Sequence, residues 1–307
     1  MKKLLGIIFL LGLVSILAGL IITRYDDITT LINIYIFRNH NVTLDSKNEY
    51  YRDLDFEFVQ NTDNFSPQNE QDILNIYYTA INAGKNEFTF YCPKENENCI
   101  NDISNLANDQ NKLSDINNFV HPYNNFSHIE TEYDSLGKVT IKIKKTYSTK
   151  DIEMINDKVD ELYNKLVDSK KSDVENIRTI HDYIINNTKY DSDRSDKNII
   201  NYRSDMAYGP LFEGYAICGG YTDLMELFLE RMKIKSYRIS SDDHIWNAIY
   251  VNNKWSHLDL TWDDPVASDG KDYLQHDYFL IDTKKLLNIE TTQHDFNQDI
   301  YSELKEA

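Results

Sequence analysis

Residues 207–265 read AYGPLFEGYAICGGYTDLMELFLERMKIKSYRISSDDHIWNAIYVNNKWSHLDLTWDDP, and the order of elements inside them decides the fold. Cys218 precedes Gly219, Gly220 and the run Tyr221–Met232, where Leu224, Leu227, Phe228 and Met232 recur at helical spacing. A thiol at a helix N-terminus meets the positive end of the dipole and unpaired N–H groups, and both favour thiolate. Gly219 and Gly220 leave room for a substrate backbone beside the sulfur. Taken alone, the same pattern describes a buried cysteine packed under a helix.

Downstream, HIWNAIYV and KWSHLDLTW flank Asn252-Asn253. Asparagine tolerates the positive φ that a two-residue hairpin turn needs, so Val251 pairs with Lys254. In that register Trp246 faces Asp259 and His244 faces Thr261, along a second strand from Lys254 to Trp262. Asp259 is then one diagonal step from His244 on the same face, within side-chain reach. Asp263 is the diagonal neighbour on the other side, where the strand is ending, and His257 shares the face further along. A carboxylate that fixes one imidazole tautomer, and an imidazole that takes a thiol proton, make a nucleophilic site. A one-residue slip would put Asp259 on the opposite face.

The runs Gly214–Tyr221, His244–Asn247 and His257–Pro265 together resemble the transglutaminase-like superfamily of bacteria. The resemblance spans about residues 150–300 and includes IHDYIINNTKYD before the cysteine and HDYFLID after it. It implies an α/β (α+β) papain-like core with an antiparallel sheet and the nucleophile at a helix N-terminus. In that reading Cys218 is the nucleophile, His244 the base and Asp259, rather than Asp263, the orienting acid. It implies a thioester on Cys218, with a glutamine-like carboxamide as donor and a primary amine as acceptor, and no cofactor or metal. Water as acceptor would make the chain a peptidase or amidase, and members without catalysis would make it a binding module. A second oxyanion donor besides the cysteine N–H is required, and Tyr190 and Tyr208 are the candidates. Trp246, Trp255 and Trp262 serve core packing or wall an acceptor channel.

The rest of the 307 residues bounds the setting. A net charge of −18 disfavours nucleic acid as a partner. Lys2 and Lys3 precede some 20 apolar residues from Leu4 to Thr23, enough for about 30 Å of helix. This favours an uncleaved membrane anchor at 1–24 over a signal peptide, whose apolar region is shorter. The lysines on one side, and Asp26 and Asp27 on the other, put the body outside the cell. Cys92 and Cys99, around a polar loop, suit a disulfide in an oxidising compartment and leave Cys218 as the free thiol.

Residues 25–148 read as a stalk with short strands such as Asp55–Val59, then a small α/β domain. That domain has a helix starting near Ser66-Pro67 and ending at Ala83-Gly84, a strand at Glu87–Tyr91 and a helix carrying Ile103, Leu106 and Leu113. A hairpin around SLGK closes it. His121 and His128 read as surface or structural residues. Residues 149–307 form the catalytic domain, entered through amphipathic helices at Asp151–Val167 and Ser172–Asn187.

Overall fold

Helix caps and turn residues set the elements in chain order. The structure is a computed structural model that describes residues 42–266, 273–289 and 292–305, with a few positions before residue 42. The anchor expected at 1–24 lies almost wholly outside the described residues. Among those residues, no helix is long and apolar enough to cross a membrane.

Helix α1 (Glu70–Asn82) is capped by Asn69, whose side chain accepts from the Asp72 N–H, and begins three residues after Pro67. Strand β1 (Glu87–Tyr91) follows. The helix expected around 103–113 is two helices, α2 (Cys99–Asn108) and α3 (Gln110–Asn117). Asp109 breaks them with ψ of 88° and caps α3 by accepting from the Lys112 N–H. Strands β2 (Phe126–Tyr133) and β3 (Lys138–Lys145) form the expected hairpin, in an antiparallel sheet of order β1-β3-β2. The Cys92–Cys99 disulfide closes the loop between β1 and α2, with Cα atoms 5.8 Å apart.

No strand forms at Asp55–Val59. Its apolar residues Phe56 and Val59 are both buried, although three residues apart they would face opposite sides of a strand. The adjoining backbone, however, bonds to side chains rather than to a neighbouring strand. The Asn61 amide donates to the Arg52 and Leu54 carbonyls, and the Asn82 amide also reaches Arg52 O.

Helices α4 (Thr149–Leu166) and α5 (Asp173–Asn186) each open on a capping box, Ser148 with Asp151 and Ser172 with Glu175. Strand β4 (Lys189–Tyr190), helix α6 (Ser192–Lys197) and strand β5 (Tyr215–Ala216) follow, with β4 and β5 parallel. Helix α7 (Cys218–Arg231) leads into an antiparallel sheet of β6 (Ser236–Ser240), β7 (Ile245–Val251) and β8 (Lys254–Leu258), in that order. A one-turn helix α8 (Leu260–Asp263) and helix α9 (Thr283–Ile289) follow, with a 3-10 turn at Ser302–Leu304. The chain thus has the mixed helix–strand architecture with antiparallel sheets that the sequence implied.

The apolar core continues across position 148. Phe56, Phe90, Phe119 and Ile141 pack in one cluster with Tyr237, Trp246, Tyr301 and Leu304. A second cluster joins α4 and α5 to α7 and Leu258. Buried charges on α7 and β6 tie the two parts further. Glu226 is fully buried and takes Arg52 at 2.6 Å. Arg238, nearly inaccessible, donates to Asp223 at 3.1 Å, to the Val120 carbonyl at 3.0 Å and to the Asn125 side chain. Each charge has a partner, as burial requires.

Candidate active site

The hairpin register is the predicted one. Val251 pairs with Lys254 and Asn247 with Leu258, and Asn252 and Asn253 sit at φ of 53° and 62°. The ladder then stops. Asp259 does not continue the strand toward Trp262 but caps α8, its Oδ1 accepting from the Thr261 and Trp262 N–H groups at 2.9 and 3.2 Å. An aspartate just before a helical turn satisfies donors that a helix start leaves unpaired. The other oxygen, Oδ2, takes the His244 Nε2–H at 2.6 Å. His244 and Asp259 therefore meet just beyond the last ladder pair. Both are buried.

Cys218 is partly exposed and not in a disulfide. It opens α7 with Ile217 as N-cap, and no side chain caps that end. Two motif residues hold this helix against β7. The Asn247 amide donates to the Thr222 carbonyl at 3.2 Å, and the Thr222 hydroxyl donates to the Ile245 carbonyl at 3.1 Å. Tyr221 donates to the Asp264 carboxylate, which fixes α7 to the chain beyond α8. Cys218 thereby comes within interaction distance of the His244 imidazole.

The two glycines after Cys218 face the protein's own backbone, not a substrate. A Cβ on Gly219 would lie 2.9 Å from Asp205 O, and one on Gly220 2.3 Å from Ser204 O. Several bonds hold segment 202–206 there. The Ile217 N–H donates to Ser204 O, the Ser204 hydroxyl donates to Asp191, and Arg194 pairs with Asp205.

Burial alone would drive His244 toward neutrality. Asp259 and Cys218 outweigh it and raise His244 from 6.5 to about 10. Burial would likewise raise Asp259, but His244 and His294 hold its carboxyl far below the usual range.

Residues 160–260 match the family model described as the transglutaminase-like superfamily. They form a transglutaminase-like domain. Cys218, His244 and Asp259 all fall inside the match. Among solved structures, a TGase is similar over 48% of this chain and 48% of its own, at 12% identity and a TM-score of 0.34. This chain thus spans about half of that one. A candidate cysteine protease from Cytophaga hutchinsonii is similar over 44% and 61%, at 16% identity and 0.29. No curated protein matches.

The transglutaminase-like domain separates the two tyrosine candidates. Tyr190 borders a cleft of about 250 Å³ with Thr261, Trp262, Pro265 and Gln293. Burial raises its phenol, and Cys218 contributes to the rise. Tyr208 instead packs on Phe212 and under the Arg203 guanidinium. The tryptophans divide as well. Trp246 is buried and stacks on His244, Trp255 packs on Tyr237, and Trp262 lines the cleft. Asp263 is the buried partner of His181 rather than of His244.

Two further histidines belong to the site. His294 is fully buried and donates from Nε2 to Asp259 Oδ2 at 2.9 Å, so that carboxylate accepts four hydrogen bonds. It lies 35 positions from Asp259, past the quoted motifs, with no local pattern to signal it. His257 accepts the Trp246 Nε1–H on Nδ1 and faces Thr283 Oγ1 through Nε2. The Thr283 hydroxyl donates to Leu304 O, so it accepts from His257 and fixes a neutral Nε2–H tautomer. Burial, aided by His294, lowers His257 to about 3. His121 and His128 stay outside the site. His121 is buried against Glu230, and His128 lies on β2. Ligand atoms of His244, Asp259 and His294 lie within 4.8 Å of one another. A metal there would displace the protons through which both imidazoles hold Oδ2.

Proposed function

We propose that the chain is a cysteine acyltransferase with Cys218 as nucleophile, His244 as acid–base and Asp259 as orienting carboxylate. The observation that carries this is the bond from His244 Nε2 to Asp259 Oδ2 at 2.6 Å. It commits one ring nitrogen to the carboxylate and leaves Nδ1 for the Cys218 sulfur. A protonated imidazole beside a thiol favours thiolate, the attacking form. The thiolate adds to a glutamine-like carboxamide, and the Cys218 N–H at the start of α7, with Tyr190, stabilises the oxyanion. Collapse breaks the C–N bond as His244 gives its proton to the departing ammonia. A primary amine then attacks the thioester, His244 takes its proton, and an amide and the free thiol result.

The Cys92–Cys99 disulfide supports placing the body outside the cytosol, tethered by residues 1–24. Protein or peptide substrates of the cell envelope fit that placement.

The test is incubation of the purified protein with a glutamine peptide and a labelled amine, beside Cys218→Ala. Label incorporated only when Cys218 is present supports the transferase. Glutamate formation or peptide cleavage without label transfers the reading to a hydrolase. Neither product, from a protein whose circular dichroism is intact, refutes both.

A further inference from the structure

A second constellation lies on the far side of α8. His181 and Asp182, on α5, meet His276 from the segment between α8 and α9. His181 Nδ1 is 2.9 Å from Asp182 Oδ1, and His276 Nε2 is 2.7 Å from the same oxygen. The two imidazoles stack with centroids 5.2 Å apart. Their three ligand atoms lie within 4.8 Å of one another.

We propose that His181, Asp182 and His276 form a site for a divalent transition-metal ion, with Zn²⁺ the best match. Two imidazole nitrogens and one carboxylate oxygen are the donor set that such ions favour. Tetrahedral coordination at about 2.1 Å spaces donors roughly 3.4 Å apart, so the two hydrogen bonds open by about 0.5 and 0.7 Å while the two imidazole nitrogens, within 4.8 Å, close toward the same spacing. The ion would replace the protons now lying between these atoms.

The surroundings supply what a ligating histidine requires. The far nitrogen of His181, Nε2, donates to Asp263 Oδ2 at 3.1 Å, and both side chains are fully buried. A buried carboxylate behind the ligand fixes the tautomer and leaves Nδ1 to bind. Asp263 is itself oriented, since Oδ1 accepts from the Tyr278 N–H at 3.0 Å. The segment bearing His276 is held to the same residue, with the Gln275 N–H donating to Asp263 O at 2.8 Å. Asp182 and His276 are each about one-third exposed, at 32% and 31%, which leaves an open side for entry and for a water as fourth ligand.

The experiment uses full-length, tag-free protein stripped with chelator and titrated with Zn²⁺ and Co²⁺. Binding raises the melting temperature with Zn²⁺ and gives the visible d–d absorption of tetrahedral Co²⁺. His276→Ala, a change at a partly exposed side chain, weakens binding by at least the roughly 10–100-fold that loss of an outer-shell partner costs. Asp263→Asn falls within that range. Absence of both signals in the wild type overturns the proposal. So does a signal unchanged in His276→Ala, which would put the ion elsewhere, for instance on His244, Asp259 and His294.

Discussion

Replacing Asp259 by asparagine keeps the shape of the relay and removes its charge. Oδ1 of the amide still accepts from Thr261 and Trp262, so the α8 cap survives. The amide NH₂ then faces His244 Nε2 and forces that nitrogen to accept. The imidazole proton moves to Nδ1, toward Cys218, where it can no longer take the thiol proton. An amide in this position elsewhere lowers kcat about 10⁴-fold. The charge effect is equally direct. The rise of His244 from 6.5 to about 10 corresponds to on the order of 5 kcal/mol favouring imidazolium.

Near pH 7.5 the wild-type ring is therefore mostly protonated. In Asp259→Asn the largest raising influence is lost while burial and Cys218 remain, so the midpoint falls. Stability follows the same sign. A raised histidine contributes fully below its unfolded value of 6.5, and the contribution fades as pH climbs through about 10. Seen from Asp259, whose carboxyl is depressed, the same pair contributes above 3.8 and is lost as pH falls below that value. The two views describe one interaction, counted once. The assay is an NMR titration of ¹⁵N-histidine-labelled protein, with iodoacetamide alkylation of Cys218 at neutral pH as a second readout. A wild-type midpoint below 8, or an unchanged midpoint in Asp259→Asn, would refute the reasoning.

Three further outcomes concern the scaffold. Gly220→Ala puts a Cβ 2.3 Å from the Ser204 carbonyl, a backbone atom that cannot rotate aside, and costs about 1–3 kcal/mol in urea denaturation. Arg52→Met leaves Glu226 buried without its strongest partner, and the same measurement should show a loss of about 3–5 kcal/mol, mostly relieved in Arg52→Met with Glu226→Gln. Removing the disulfide with Cys92→Ser and Cys99→Ser opens a loop of sequence separation 7, and a drop of about 2 kcal/mol in unfolding free energy is expected.

Several features were legible because local chemistry and tertiary structure agree on them. Asn252 and Asn253 take the positive φ that a two-residue turn demands, so the register of β7 on β8 could be counted from the sequence. Ser172 carries an acidic residue three positions on, and it caps the helix expected there. Asp259 is more instructive. Its partnership with His244 was reached through a diagonal strand contact, yet the residue leaves the strand to cap α8, and the capping signal competed unseen with strand propensity. Gly219 and Gly220 suggested space for substrate, whereas the neighbour that demands them, segment 202–206, closes by long-range packing. His294 and Arg238 were silent for the same reason. Each is a single polar residue whose partners come from distant segments, so no periodicity marks it.

The continuity of the core past residue 148 bears on how this protein can be handled and how it unfolds. Trp246 and Tyr237, neighbours of the site, rest against Phe56, Phe119 and residues near the C-terminus within one cluster. The 101-residue stretch from 160 to 260 that matches the family model is thus no portable module. Cut free, it would bare that apolar face, take Arg52 away from Glu226, and take the Val120 carbonyl and the Asn125 side chain away from Arg238. Heat or urea should melt the body in one cooperative step, with the catalytic sheet no sturdier than the segment that precedes it.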